Sequence, residues 1–295
     1  MEKKIKAGFI SLVPLNLLEG RVEPVLVTLL AEKYKSYLDL LMKEGEEGGV
    51  ELTSPLIAKI LVPILRREGI DKFVVSVPAD MREIVTVLET EGIDFFVFRY
   101  MPGIEQELER LKNWLPSDSS GVNIREKILN LDRYLKGEEE KYFSQFTEKL
   151  FSISGVTVDP GKDFKCGKTK IGLLGELPPF TDFYRELCRL FNPVFIELPY
   201  LLSDEKFFLD PGVVSSPAER LGIYREVAEE REIEGFFYLY YSLSPWQNYE
   251  IILRGSLSSD VIPLEIKSGT GFEEREKLRI EAFYRRITNK QGGIL

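Results

Sequence analysis

Apolar and polar residues follow two rhythms in the C-terminal half of the chain. Lys170-Ile171-Gly172-Leu173-Leu174-Gly175 is a short apolar run ending in glycine and reads as a buried strand. Thr181 to Phe191 takes up helical spacing, with Thr181 or Asp182 placed to cap it. Pro193 to Leu198 is a second strand, and Ser216 to Glu230 a helix opened by Ser216 and Pro217. Phe236 to Tyr241 is apolar or aromatic throughout, as a strand covered on both faces should be. Trp246 to Arg254 reads as helix, Val261 to Ile266 as strand and Glu273 to Ile287 as the closing helix. Four strand–helix units in a row predict a parallel sheet with helices on its faces and right-handed crossovers.

The N-terminal half repeats this less regularly. Strands are expected at Pro24 to Leu29, Phe73 to Val77 and Phe95 to Phe98, with helices at Ser54 to Arg67 and Met81 to Glu91. Asn123 to Phe151 is a long, charged helical region that should pack between or across the two units. Gly155 to Lys170, rich in Gly, Asp, Pro and Lys, reads as a linker. The expected architecture is α/β, with two Rossmann- or flavodoxin-like parallel-sheet domains joined by a helical segment. The division is 1–118, 119–165 and 166–295.

Composition narrows the chemistry. With 44% hydrophobic and 29% charged residues, the 295-residue chain is an ordinary globular protein rather than a disordered one. A net charge of −9, with Lys and Arg interleaved with Glu, argues against a nucleic-acid partner. No apolar run approaches the roughly 20 residues of a membrane span, and the N-terminus does not read as a signal peptide. A cytoplasmic protein is the expectation. There is no histidine, which removes catalytic triads, HExxH zinc sites and imidazole bases. What remains is a non-catalytic protein or an enzyme working through Asp, Glu, Lys, Tyr or Cys.

Ligands of parallel sheets sit beyond the carboxyl ends of the strands. Those ends carry Gly175-Glu176, Tyr200, Ser242 to Pro245 and Lys267-Ser268-Gly269. The loop Gly175 to Phe180 leads into a helix whose N-terminus would offer N–H groups to an anion, although Glu176 would repel a phosphate. Lys267-Ser268-Gly269-Thr270-Gly271 fits a ligand loop and a flexible loop equally, and is no P-loop. Ligand-binding candidates are therefore Glu176, Ser244, Ser268 and Gly269. Arg66-Arg67 and Lys165, Lys168 and Lys170 are the best basic groups for a nucleotide-like ligand, against a reading as solvated charge. Cys188 reads as core. Cys166, in Lys165-Cys166-Gly167-Lys168, reads as an incidental exposed cysteine, with a lysine-activated thiol as the alternative.

From Phe236 onward, FFYLYYSLSPWQNYEIILRGSLSSDVIPLEIKSGTGFEEREKLRIEAFYRRI, with Pro263 in a strand and Arg279-Ile280-Glu281-Ala282-Phe283 in the last helix, resembles the end of 2-hydroxyacyl-CoA dehydratase and benzoyl-CoA reductase subunits. Ile171 to Leu198 resembles the opening of that family's last domain. Pro14-Leu15-Asn16-Leu17-Leu18 followed by Pro24, Ser54-Pro55 and Ala79-Asp80 resemble its N-terminal half loosely. The resemblance implies a [4Fe–4S] cluster on three cysteines, paired subunits and a separate ATP-hydrolysing activator. The positions matching the cluster cysteines are Ser54, Ala79 and Ser244, none of them a thiolate. The reading is a subunit that binds no cofactor itself and serves as structural or regulatory partner of a cluster-bearing homologue, or as a homodimer. A non-redox enzyme with an acyl-CoA ligand and carboxylate acid–base chemistry, or a small-molecule binding module, stands as the alternative.

Overall fold

The computed structural model describes residues 5–10, 18, 21–51, 56–77, 82–99, 104–116, 124–137, 140–196, 217–241, 257, 260–267 and 269–292. Two four-stranded sheets organise the chain, and every pairing in them is parallel. The first holds β1 (Lys6–Phe9), β2 (Glu23–Leu26), β3 (Lys72–Val77) and β4 (Asp94–Arg99), in the order β2-β1-β3-β4. The second holds β5 (Thr169–Gly175), β6 (Phe191–Phe195), β7 (Gly235–Tyr241) and β8 (Asp260–Ile266), in the order β6-β5-β7-β8. Both orders run second, first, third, fourth. The direction of winding therefore reverses between the first and third strands of each sheet, as in flavodoxin-like folds.

The repetition reaches individual residues. Gly8 of β1 lies opposite Phe73 of β3, and Gly172 of β5 lies opposite Phe236 of β7. A Cβ on Gly8 would fall 2.8 Å from the Phe73 ring, and one on Gly172 would fall 2.5 Å from the Phe236 ring. In each sheet the phenyl ring occupies space that only glycine leaves open.

The chain turns out of β2 earlier than its apolar run suggests. Val27–Leu30 is already helical, all four residues are buried, and Ala31–Tyr37 continues as a 3₁₀ helix. A short run buried on every side carries no period that separates strand from helix. Helices α1 (Leu38–Glu47) and α2 (Leu56–Glu68) follow and pack closely. Pro63 has no N–H to give the Lys59 carbonyl one turn back. Gly45 of α1 lies against that carbonyl, so closely that a Cβ there would sit 1.8 Å from the oxygen. Helix α3 (Arg82–Thr90) joins β3 to β4, and α4 (Ile104–Trp114) follows β4.

The region from 123 to 151 is two helices, α5 (Ile124–Gly137) and α6 (Phe143–Ser152). Lys141 stands at the break, nearly fully buried, and its ammonium donates to Leu135 O (2.7 Å) and Asn192 Oδ1 (2.7 Å). Helix α6 packs across both units. Phe146 lies 6.0 Å from Phe195, Phe151 meets Tyr184 edge-on at 6.0 Å, and Ser154 just beyond donates to Leu26 O at 2.7 Å.

Helix α7 (Thr181–Leu190) follows β5, α8 (Pro217–Glu230) precedes β7, and α9 (Glu274–Gly292) closes the chain. The helix expected at 246–254 lies outside the described residues. Strand β7 shows why it is apolar throughout. Phe237, Leu239 and Tyr241 face α7 and α9, while Phe236 and Tyr238 face Tyr224 of α8. The α7 side joins the first sheet in one continuous apolar core that includes Phe9, Phe73, Phe146 and Phe237. Among the described residues no helix is long and apolar enough to cross a membrane.

Candidate functional site

The reversal point of the second sheet lies where β5 and β7 end side by side. Gly175 closes β5 at φ +85°, a conformation that favours glycine, and a Cβ there would fall 2.3 Å from Leu239 O. The tight turn sends Glu176 out over β7, where its N–H donates to Leu239 O at 2.9 Å. The loop is then pinned by two phenols. Tyr241 donates to Leu177 O at 3.2 Å and Tyr184 to Pro178 O at 2.8 Å. Burial pushes both phenols well up, and the Glu176 charge adds to the rise at Tyr241.

Helix α7 starts at Thr181, and the anion at its N-terminus belongs to the protein. The Glu32 carboxylate, from the 3₁₀ helix of the first half, accepts from Thr181 N–H (3.0 Å) and Thr181 Oγ (2.8 Å). Lys35, one turn on, pairs with Asp182 at 2.8 Å. The expected N–H groups are real, but an internal carboxylate fills the position an external anion would take. Burial raises the Glu32 carboxyl above its ordinary value, against the opposing pull of the Thr181 bonds and Lys35.

The β8 loop reaches the same corner. Gly271 lies beside the first turn of α7, since a Cβ there would be 3.5 Å from Asp182 Cβ. Phe272 meets Phe183 edge-on at 5.0 Å. Gly269 is in this loop, and Lys267 is held by Glu273 at 2.7 Å with Glu265 at 3.8 Å. Glu176 and Gly269 thus share one sheet edge, with the ends of β5 and β8 about 10 Å apart across β7. Ser244, Ser268, Ser54, Ala79, Tyr200 and Ser242 to Pro245 lie outside the described residues.

Glu276, in the first turn of α9, carries no signal in the sequence that separates it from its acidic neighbours. It is 1% exposed, and among the described residues no donor reaches either carboxylate oxygen. Sequence reasoning also passed over Glu32 and Lys141, because pairing across about 50 to 150 positions leaves no local pattern.

Of the basic groups, Arg66, Arg67, Lys165 and Lys170 are engaged with carboxylates. Arg67 forks Glu44 at 2.7 and 2.6 Å, Arg66 pairs with Glu91, Lys165 with Glu140, and Lys170 with Glu232 at 3.2 Å. Interleaved glutamates neutralise the positions that a phosphate would need. An open groove of about 580 Å³ lies beside edge strand β4, lined by Phe95, Phe96, Val97, Arg110, Asn113 and Trp114. Its cations already face its rings, with Lys72 4.1 Å from Trp114 and Arg110 5.6 Å from Phe96.

Cys188 is core, as expected, but Cys166 is buried too, not exposed. The segment around Cys166 is extended, so successive side chains alternate. Lys165 points to solvent and Cys166 points in, and the chain bends at Lys168, which is exposed again. Each thiol perturbs the other's titration, as neighbours in the core do. Cys166 precedes β5, and Cys188 is in the last turn of α7, which returns antiparallel to β5. Both therefore sit at the amino edge of the second sheet, opposite Glu176 and Gly269. Among the described residues no three His, Cys, Asp or Glu are grouped to hold a metal ion. No protein-family model matches this chain, and no curated protein matches it in sequence.

Proposed function

We propose that this chain is a cluster-free relative of the 2-hydroxyacyl-CoA dehydratase and benzoyl-CoA reductase subunits, acting as structural or regulatory partner of a homologue that carries the [4Fe–4S] cluster. The observation that carries this reading is the placement of the two cysteines. They meet in the core at the amino edge of the second sheet. The resemblance puts cluster ligands after β3 and β7, at carboxyl edges, where the sequence holds Ala79 and Ser244. The Glu32 carboxylate at the start of α7 supports the same reading, because it fills a position that a phosphate-bearing ligand would use. Anaerobic purification of the native complex, with iron and sulfide analysis of each chain, tests it. Iron on a co-purifying homologue only is the expected result. Recovery of this chain from native extract as a lone monomer overturns it.

A second reading rests on Glu276, a buried carboxylate beside the β8 loop with no donor among the described residues. The non-redox alternative would use such a carboxylate toward an acyl thioester. Thermal-shift screening against CoA esters separates the two readings, since a partner subunit without an acyl site shows no shift with any of them.

A further inference from the structure

We propose that Cys166 and Cys188 are a reversible redox pair, closed to an intramolecular disulfide by a hydroperoxide. Gly167 N–H donates to Cys188 O at 2.9 Å, which fixes the residue after Cys166 against the backbone of Cys188. Cys166 N–H donates to Lys141 O at 2.7 Å, so the cysteine backbone is held between the end of α7 and the start of α6. Between these anchors the two thiols are neighbours in the core, each perturbing the other.

The two thiols have different surroundings, and these assign their roles. Cys166 is 6% exposed and Cys188 is 0% exposed. Cys166 has the Cys188 thiol as neighbour and lies near the buried Lys141 ammonium. Both favour its thiolate over the opposing effects of burial and Asp163. Burial and the neighbouring Cys166 hold Cys188 as the thiol, against weaker contributions from Lys141 and Arg185. The Cys166 thiolate attacks the hydroperoxide, forming an S–O bond and breaking the O–O bond, and the departing oxygen leaves as water or alcohol after taking a proton. The Cys188 sulfur then attacks the sulfenic sulfur of Cys166. An S–S bond forms, the S–O bond breaks, and hydroxide leaves with the Cys188 proton as water. One hydroperoxide is reduced for each pair of thiols oxidised.

The bond would staple the amino end of β5 to the last turn of α7, beside the break between α5 and α6. It lies at the opposite edge of the sheet from Glu176.

The full-length chain, reduced and freed of reductant, is treated with hydrogen peroxide, quenched with acid, denatured and alkylated. The expected product is about 2 Da lighter than the reduced chain, takes up no alkylating agent, links the Cys166 and Cys188 peptides, and is restored by dithiothreitol. Cys166→Ser and Cys188→Ala should both abolish the mass loss. In Cys188→Ala, Cys166 should stop at a sulfenic acid that a cyclic 1,3-dione traps. Should either variant fail to fold, the peptide map of the parent chain decides. Two alkylatable thiols after peroxide, a gain of oxygen without the mass loss, or a bond between two chains overturns the proposal.

Discussion

Lys141 keeps an ammonium group in the core because two acceptors come to it, the Leu135 carbonyl at the end of α5 and the Asn192 side chain on β6. Lys141→Met keeps the bulk and removes the donors, leaving both acceptors buried. The expected cost is about 2–4 kcal/mol, read from urea unfolding. The same change withdraws the positive charge near Cys166, so the pH profile of its alkylation should move upward. Glu32 behaves differently. Burial raises its carboxyl above the ordinary 4.5, so the native state holds the proton more tightly than the unfolded chain does. That contribution is full below about pH 4.5 and is lost as pH rises through the folded value. Glu32→Gln cannot ionise and should gain on the parent as pH rises above about 4.5. Glu32→Ala strands the Thr181 N–H and hydroxyl and should cost about 1–3 kcal/mol throughout. Paired thermal melts across that range check both.

At the scale of elements, the contact between α1 and α2 depends on a backbone meeting a backbone. Gly45→Ala puts a methyl 1.8 Å from a carbonyl that cannot swing away. The helices must separate, at an expected cost of about 2–4 kcal/mol in chemical denaturation. Most of the second sheet was legible in the sequence, because β5, β7 and β8 are long apolar runs closed by Gly, Tyr or Lys and separated by helical spacing. The first sheet was less so. β1 is four residues without alternation, and α4 buries little besides Leu111, so neither stands out from its surroundings. The helix start at Val27 was hidden inside one apolar run with β2. Of the site, the strand ends and the loop before α7 could be read locally. What fills that loop could not, because Glu32 is far away in sequence. Cys166 was misread because Lys165 and Lys168 are exposed, while the cysteine itself turns inward, its N–H held by the Lys141 carbonyl.

Across the whole molecule, the two sheets share one apolar core through α6, and the joint is reinforced by Glu32 with Thr181 and by Lys35 with Asp182. Heat or urea should therefore unfold the chain in a single transition, with near- and far-ultraviolet circular dichroism coincident. Two resolved steps would mean the sheets are energetically separate. Glu32 and Thr181 are 149 positions apart. At about 5–20 residues per second on the ribosome, roughly 7–30 s pass between the making of the carboxylate and the making of the helix it caps. During that interval Glu32 is in water, and the apolar side of α6 waits for Tyr184 and Phe195 to cover it. A growing chain is thus most exposed to misassociation when it is half made, and slowing translation ahead of residue 181 would lengthen that exposure.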